Sequence, residues 1–403
     1  MIVAHVGPPP RRIGGPAGYL HQLQTGASTD SHPRHDVRFP PSQPTRPLRQ
    51  PPPPPGLLRR MRRKVFGPKF YRPSSSELSR VGGLVDGMLR TTAADIKDEA
   101  GASFAAALEH GNVIFTHEPF SADAALGQRR SGQQVWMMCH GVTPMALYSV
   151  WSWGVPEADW RSLVGYPDVR AWTDWELDIW TRVDRLVLPC PEAGESFRTI
   201  DERFNAVIDR ASFVLSGASA PARGSGPNPL GSSGGERVGL YLGSGEPYRG
   251  FDVLTKAVEM VPGDAKLAIA VAGPPADKVS AHPCFRALGR VEDVASLLHS
   301  VDFLINVNRF TLFDLSTIEA TQAGKPLLLH AVGGNRAFER LGAGCIMLPD
   351  LQPSTVARGL TRMATLDSSS LAALAEQSKS CWDQHLTPRH MWERHLTLYD
   401  EIS

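Results

Sequence analysis

The chain of 403 residues contains no apolar run near the roughly 20 residues that a membrane span requires, so no spanning helix is expected. Its five cysteines, Cys139, Cys190, Cys284, Cys345 and Cys381, are scattered and lack metal-ligand spacing. That argues against a disulfide framework or a thiolate metal site and predicts reduced, mostly buried thiols in a cytosolic protein. The formal net charge is only +1, which removes any global pull toward nucleic acid or a membrane, and no nucleic-acid partner is expected. No Ser-His-Asp or Cys-His signature is present, so covalent catalysis by a protein nucleophile is not expected. No basic residue precedes the short apolar stretch after Met1, which therefore reads as a first β-strand rather than a leader.

The length predicts about two domains, each able to bury a core. Apolar strand-like runs alternate with helical stretches along most of the chain. A strand over 2–6 runs into a Gly-Pro turn and Gly14-Gly15, which opens a helix at about 19–23; these glycines lack the dinucleotide spacing. Residues 32–55 are proline-rich and are expected to have no packed fold of their own. A basic stretch with Arg59, Arg60, Arg62, Arg63 and Lys64 follows, in a segment without acidic residues between Asp36 and Glu77. Then come a helix over 76–110, strands over 112–117 and 134–140 separated by a short helix near 122–127, and a Trp-rich helical region over 151–180. A strand over 185–188, a helix from Glu192 and a strand over 211–215 complete this half.

Residues 219–235 are rich in Gly, Pro and Ser and read as a linker. A second alternating series has strands over 238–243, 266–273, 301–307 and 326–330, with helices over 251–261 and 291–299. Alternating β and α elements imply parallel sheets, so the fold expected is α/β with two Rossmann-like domains across a cleft. The domains read as 1–220, a linker over 221–236, 237–387, and a C-terminal helix over 388–403.

The segment from Phe310 to Pro326 stands out. A strand leads to a loop, a helix carrying Glu319, a Gly-Lys-Pro stop and another strand. In open α/β sheets ligands bind at the carboxyl ends of strands, where helix N-termini offer free N–H groups to anions. Glu319, one turn into the helix, offers lone pairs suited to two adjacent ribose hydroxyls. Leu315 and Ser316 supply backbone amides for a phosphate, and Ser316 is equally suited to cap the helix.

These residues resemble the retaining glycosyltransferases of the two-Rossmann-domain GT-B type, specifically glycosyltransferase family 4. The resemblance spans most of the chain and is strongest over 238–335. The family's Gly-Arg-x-x-Pro-x-Lys-Gly stands here as Gly243-Ser244-Gly245-Glu246-Pro247-Tyr248-Arg249-Gly250. Its next turn appears as Gly273-Pro274, and its base-contacting segment as 285–291, with Arg290. Its two glutamates, separated by seven residues, stand as Thr311 and Glu319, with Asp314 at a usual glycine. Gly14-Gly15, His117 and His140-Gly141 look like the family's glycine loop and active-site histidine segment. The helix over 388–403 resembles the one that in the family returns to the first domain, and the resemblance implies the same return here.

The resemblance implies that Arg249 clamps the diphosphate and Ser244 replaces a partner arginine, with Arg290, Arg309 or Arg336 to compensate. Gly245 lies in the same donor loop. Thr311 meets the donor sugar through a hydroxyl in place of a carboxylate. Asp314 either restores that carboxylate or caps the helix, and the change implies an altered sugar preference. His140, at a strand end, binds the sugar near its anomeric carbon, and His117 lies close by. The tryptophans are read as core, with acceptor stacking as the alternative.

The expected function is a retaining, metal-independent hexosyltransferase using a nucleotide-diphosphate sugar as donor substrate and no cofactor. His140, Arg249 and Glu319 are the expected catalytic residues, and the pathway is polysaccharide or glycolipid biosynthesis. Glycosylation of a secondary metabolite is the alternative; a nucleotide-sugar epimerase and a catalytically weak partner subunit are the rivals. The acceptor is a sugar, a lipid-linked group or a small molecule. The expected location is cytoplasmic, peripheral at the inner face of the membrane through Arg59–Lys64, which could instead be a solvated charge run.

Overall fold

A computed structural model describes residues 1–11, 15–31, 34–40, 89–90, 104–152, 163–219, 230, 235–245 and 247–402. The basic run 59–64, Gly14, Glu246 and most of the glycine-rich linker lie outside the described residues.

The strands are β1 Ile2–Val6, β2 Asp36–Arg38, β3 Val113–Thr116, β4 Gln134–Met138, β5 Arg185–Leu188, β6 Ser212–Phe213, β7 Arg237–Leu242, β8 Leu267–Ala272, β9 Phe285–Gly289, β10 Phe303–Asn306, β11 Leu327–His330 and β12 Cys345–Leu348. They form two parallel six-stranded sheets, ordered β2-β1-β3-β4-β5-β6 and β12-β11-β10-β7-β8-β9. The central strands are buried on both faces, which is why they read as unbroken apolar runs rather than alternating patterns; all six residues of β8 are buried. The expected α/β fold with two Rossmann-like sheets is therefore observed.

In the first sheet, one face is covered by the helices Pro119–Gln128 and Pro167–Arg182, with Trp180 against Phe197 and Phe204. Tyr19 and Leu23 of the helix Gly15–Ala27, with Met391, Trp392 and Tyr399 of the helix Pro388–Asp400, cover Phe115 and Trp136 on the other. The C-terminal helix thus lies on the first sheet, after the chain has completed the second. Where the chain recrosses, Trp382 Nε1 donates to the carbonyl of Ala218 at 2.7 Å, and the amide of Ala218 donates to Leu386 O at 3.0 Å. The two connections between the sheets are therefore bonded side by side.

Some elements depart from expectation. β2 lies within the segment expected to lack packed structure. It escaped notice because it is three residues long, with Asp36 and Arg38 exposed at its ends, yet it pairs in register with β1. Its sequel Phe39 stacks on His5, with ring centroids 5.3 Å apart. The helix expected over 251–261 ends at Val258, and that expected from 291 begins at Val294, where Asp293 Oδ1 caps it by accepting from Ser296 N at 2.9 Å. The Trp-rich region resolves into the helices Met145–Ser152 and Pro167–Arg182; residues between them are not all described.

Candidate functional site

In the second sheet the strand order reverses between β7 and β10, which places a crevice at their carboxyl ends. The loops leaving these strands are stitched together. The amide of Arg309 donates to Tyr248 O at 2.7 Å. Gly250 adopts φ +68°, and a Cβ there would collide with the carbonyl oxygen of Val307. This turn carries Arg249 back over Gly243 and into the crevice.

Arg249 Nη1 donates to Asp314 Oδ2 at 2.8 Å. The same oxygen accepts from Asn308 Nδ2 at 2.6 Å and Asn306 Nδ2 at 3.1 Å, and Asn306 also donates to Thr317 Oγ1 at 3.1 Å. Burial works against the Arg249 charge more than any single neighbour supports it, but the Asp314 carboxylate together with Tyr248 and Tyr241 holds the guanidinium above its ordinary pKa. Asp314 occupies the N-cap position of the helix Leu315–Gln322 yet makes no side-chain cap. Its carbonyl accepts from Thr317 and Ile318, while the amides of Leu315 and Ser316 have no backbone or capping partner among the described residues. Those two donors, the helix dipole and Arg249 define an anion-binding corner.

Glu319 lies on the same helix, half-buried, and no hydrogen bond to its carboxylate is formed among the described residues. Burial raises its pKa from 4.5 to about 7. Thr311 is 1% exposed, with its hydroxyl lacking a partner among the described residues. It sits under the loop after β11, where Gly333 adopts φ +45° and Gly334 N donates to Thr311 O at 3.2 Å. The structure thus brings Arg249, Asp314, Leu315, Ser316 and Glu319 together and sets Thr311 beneath them.

The arginines considered as compensating charges are placed differently. Arg309 is held by both Asp252 oxygens at 2.7 and 3.0 Å, and burial lowers its pKa to about 10. Arg336 pairs with Glu195 at 3.1 Å. Arg290 is exposed at the end of the loop from β9. Ser244 and Gly245 are exposed in the β7 loop, where Ser244 O accepts from Tyr241 at 2.9 Å.

The first domain faces this corner with the carboxyl ends of its own strands. Cys190, after β5, donates from Sγ to Leu312 O at 3.7 Å. Glu195 Oε2 accepts from Gly333 N at 2.6 Å as well as from Arg336, and Glu192 pairs with Arg340 at 2.7 Å. Tyr148 approaches Tyr248, ring centroids 5.7 Å apart. A cavity of about 350 Å³ lies at this seam, lined by Glu192, Glu195, Arg198 and Arg336 among others; it excludes Arg249, Glu319 and His140.

His140 follows β4 at the same edge. Its Nε2 lies 2.9 Å from His117 Nδ1, and His117 Nε2 lies 2.9 Å from His5 Nδ1. His5 Nε2 reaches Tyr399 Oη at 3.1 Å. Burial holds all three imidazoles well below their ordinary pKa, His140 at about 3, so the rings are neutral. Gly15 opens the helix that carries Tyr19, whose ring edge meets His140 at 4.8 Å.

Sequence reasoning missed His5, Tyr399, Asn306, Asn308 and Glu176. The two asparagines closing β10, at the edge where ligands bind, were a usable signal. Glu176 was hidden on an amphipathic helix; it is 3% exposed, accepts from Met145 N at 2.7 Å, and burial raises its pKa to about 8. It is a buried carboxylate in the first domain.

Two facing parallel sheets, the second in Rossmann order and the first braced by the returning C-terminal helix, define a GT-B architecture. Residues 236–365 match the sequence model of the family described as Glycosyl transferases group 1. That match covers the domain holding Arg249 and Glu319 and agrees with the fold around it. Among solved structures it is similar to Anabaena HepE in complex with UDP and glucose, at 13% identity and TM-score 0.58 over 99% of each chain. It is also similar to sucrose-phosphate synthase from Thermosynechococcus elongatus (15% identity, TM-score 0.61, covering 99% of this chain and 95% of that one). A third is WaaG, a glycosyltransferase of lipopolysaccharide biosynthesis, at 13% identity and TM-score 0.55 over 99% of each chain. At these identities the likeness is one of fold. No curated protein sequence matches the chain.

Proposed function

We propose that the protein is a retaining, metal-independent glycosyltransferase that moves a hexose-type sugar from a nucleoside-diphosphate sugar to an acceptor hydroxyl, in polysaccharide or glycolipid assembly. The observation that carries this reading is the uncapped N-terminus of the helix Leu315–Gln322, with Arg249 and Glu319 on either side of it at the strand-order reversal. Glu319 receives the ribose hydroxyls, and the Leu315 and Ser316 amides with Arg249 receive the diphosphate. The bond from the anomeric carbon to the diphosphate oxygen breaks, with its electron pair going to that oxygen. The acceptor oxygen bonds to the same face of the carbon, and its proton passes to the departing phosphate. The positive groups serve as the electrostatic counterweight to the leaving charge. HepE was solved with UDP-glucose, so UDP-sugars head the panel of donors to try.

Titration of the purified protein with nucleoside diphosphates tests the reading. Binding is expected with at least one base, weakened about tenfold or more by Glu319→Ala, which removes a charged acceptor worth ~1.5–3 kcal/mol. Absence of binding to any of them would sink the proposal. Binding that Glu319→Ala leaves untouched would sink the site.

A second reading, a catalytically weak subunit, is favoured by one observation: Asp314 already neutralises Arg249, and Ser244 brings no charge. Slow donor hydrolysis followed by mass spectrometry separates the two. Tight nucleotide binding with no turnover of any donor would favour the subunit.

A further inference from the structure

We propose that Tyr399, His5 and His117 are positioning residues that set the tautomer of His140, so that His140 presents an Nδ1–H to the cleft. This rests on the glycosyltransferase reading only in giving that N–H a donor sugar to meet.

The geometry permits two arrangements. Each contact in the chain Tyr399–His5–His117–His140 is a hydrogen bond between one donor and one acceptor, at 3.1, 2.9 and 2.9 Å. A neutral imidazole carries one N–H and one bare nitrogen. Choosing the donor at one bond therefore chooses it at every bond. In the first arrangement the phenol donates to His5 Nε2, each ring passes an Nδ1–H to the next Nε2, and His140 Nδ1–H faces outward. In the second every ring carries its proton on Nε2, and His140 offers a bare Nδ1.

The buried end decides between them. Tyr399 is fully buried, and His5 is the hydrogen-bond partner of its hydroxyl among the described residues. In the second arrangement His5 donates to the phenol, whose own proton is left without an acceptor away from water, a cost of the kind that proteins avoid. The first arrangement leaves nothing unmet at this end. At the other end His140 is half-buried, and its Nδ1 can meet a ligand in either state. A neighbouring pair follows the same logic. His395 Nδ1 lies 2.9 Å from the carbonyl of Met391, which can only accept, so His395 is protonated on Nδ1 and its Nε2 accepts from Tyr19 at 2.9 Å. Free histidine side chains favour the Nε2–H form, so a chain of Nδ1–H rings is a distinctive signature.

Ring-nitrogen NMR of the ¹⁵N-histidine protein reads the tautomers directly. The expected result is Nδ1–H on His5, His117 and His140, with His395 as the internal reference. Tyr399→Phe keeps the ring and removes the hydroxyl that orients the chain. His140 is expected to shift toward the Nε2–H form, with kcat/KM for donor turnover falling about 10-fold, the worth of one hydrogen bond, and with the Kd for the nucleoside diphosphate unchanged. Tyr19→Phe, which removes a buried hydroxyl outside the chain, is expected to alter His395 and leave the His140 tautomer as it was. Nε2–H rings in the wild type, or a His140 signal indifferent to Tyr399→Phe, would overturn the proposal. Failure to bind any nucleoside diphosphate would overturn the functional reading instead, and the ring tautomers would still report on the chain.

Discussion

In the second domain, the ligand-facing groups come from two short stretches, 243–250 and 306–319, each a loop bound to its own strand. In the first domain the group proposed to face the ligand is His140, backed by the buried His117, His5 and Tyr399, so the set is carried by three strand ends and the last helix of the chain. One half of the cleft is made of backbone amides and a half-buried ion pair. The other is made of neutral rings whose states depend on one another through hydrogen bonds. The first kind of site places a charge on a ligand's anionic group. The second holds little charge and controls which face of a ring is a donor. A diphosphate suits the former and the hydroxyls of a sugar suit the latter, so under the proposed function the difference in construction would match the two ends of one donor.

The strongest way to break the second-domain half is through its backbone. Gly250→Ala puts a Cβ against the carbonyl of Val307 at a residue with φ +68°. It is expected to cost about 4 kcal/mol in urea unfolding, since strain and a backbone collision add. A loss under about 1 kcal/mol would show that the two loops are not locked together. The ion pair comes next. Arg249→Met leaves the Asp314 carboxylate, 13% exposed, with only Asn306 and Asn308 among its present side-chain partners. That is expected to cost about 3 kcal/mol, most of it recovered in Arg249→Met/Asp314→Asn, because the penalty lies in the orphaned charge rather than in the pair. If the double variant is no more stable than the single one, Asp314 is held by the asparagines and the arginine is free for a ligand.

What the sequence made legible follows the same divide. The β10–β11 unit was readable because its strand, loop, helix and stop occupy one continuous stretch, and its chemistry rests on local features: a helix N-terminus and one carboxylate. Glu319, Leu315 and Ser316 could be named as candidates from such features, and Arg249 from its place in the pattern resembling the family's Gly-Arg-x-x-Pro-x-Lys-Gly. The role of Asp314 could not, since cap and ion-pair partner look alike until Asn306, Asn308 and Arg249 converge on it. His117 and His140 could be named singly at strand ends. The chain that joins them to His5 and Tyr399 could not, because His5 and Tyr399 are 394 positions apart and meet only when the C-terminal helix lies on the first sheet. β2 was missed for a related reason: three residues with two charges carry no pattern, and only pairing with β1 makes them a strand.

The smallest expected effect concerns Glu319 and has the clearest sign. Burial raises its pKa from 4.5 to about 7, so the folded protein holds this proton more tightly than the unfolded chain does. Between those values the native state binds more protons, and stability falls as pH rises. The contribution is intact below about 4.5, declines to about 7, and is lost above it. Glu319→Gln removes the titration while keeping the shape. It is expected to match the wild type near pH 4, to gain on it through the interval, and to be about 2 kcal/mol more stable at pH 8, a figure held down because the half-buried group keeps some access to water. Denaturant unfolding across that range checks it. The same substitution is expected to weaken nucleoside-diphosphate binding. Stability gained where binding is lost would mean that the carboxylate is kept at a cost to the fold, as expected of a group retained for a ligand's hydroxyls. A gap that does not open with pH would return Glu319 to being an ordinary solvated helix glutamate.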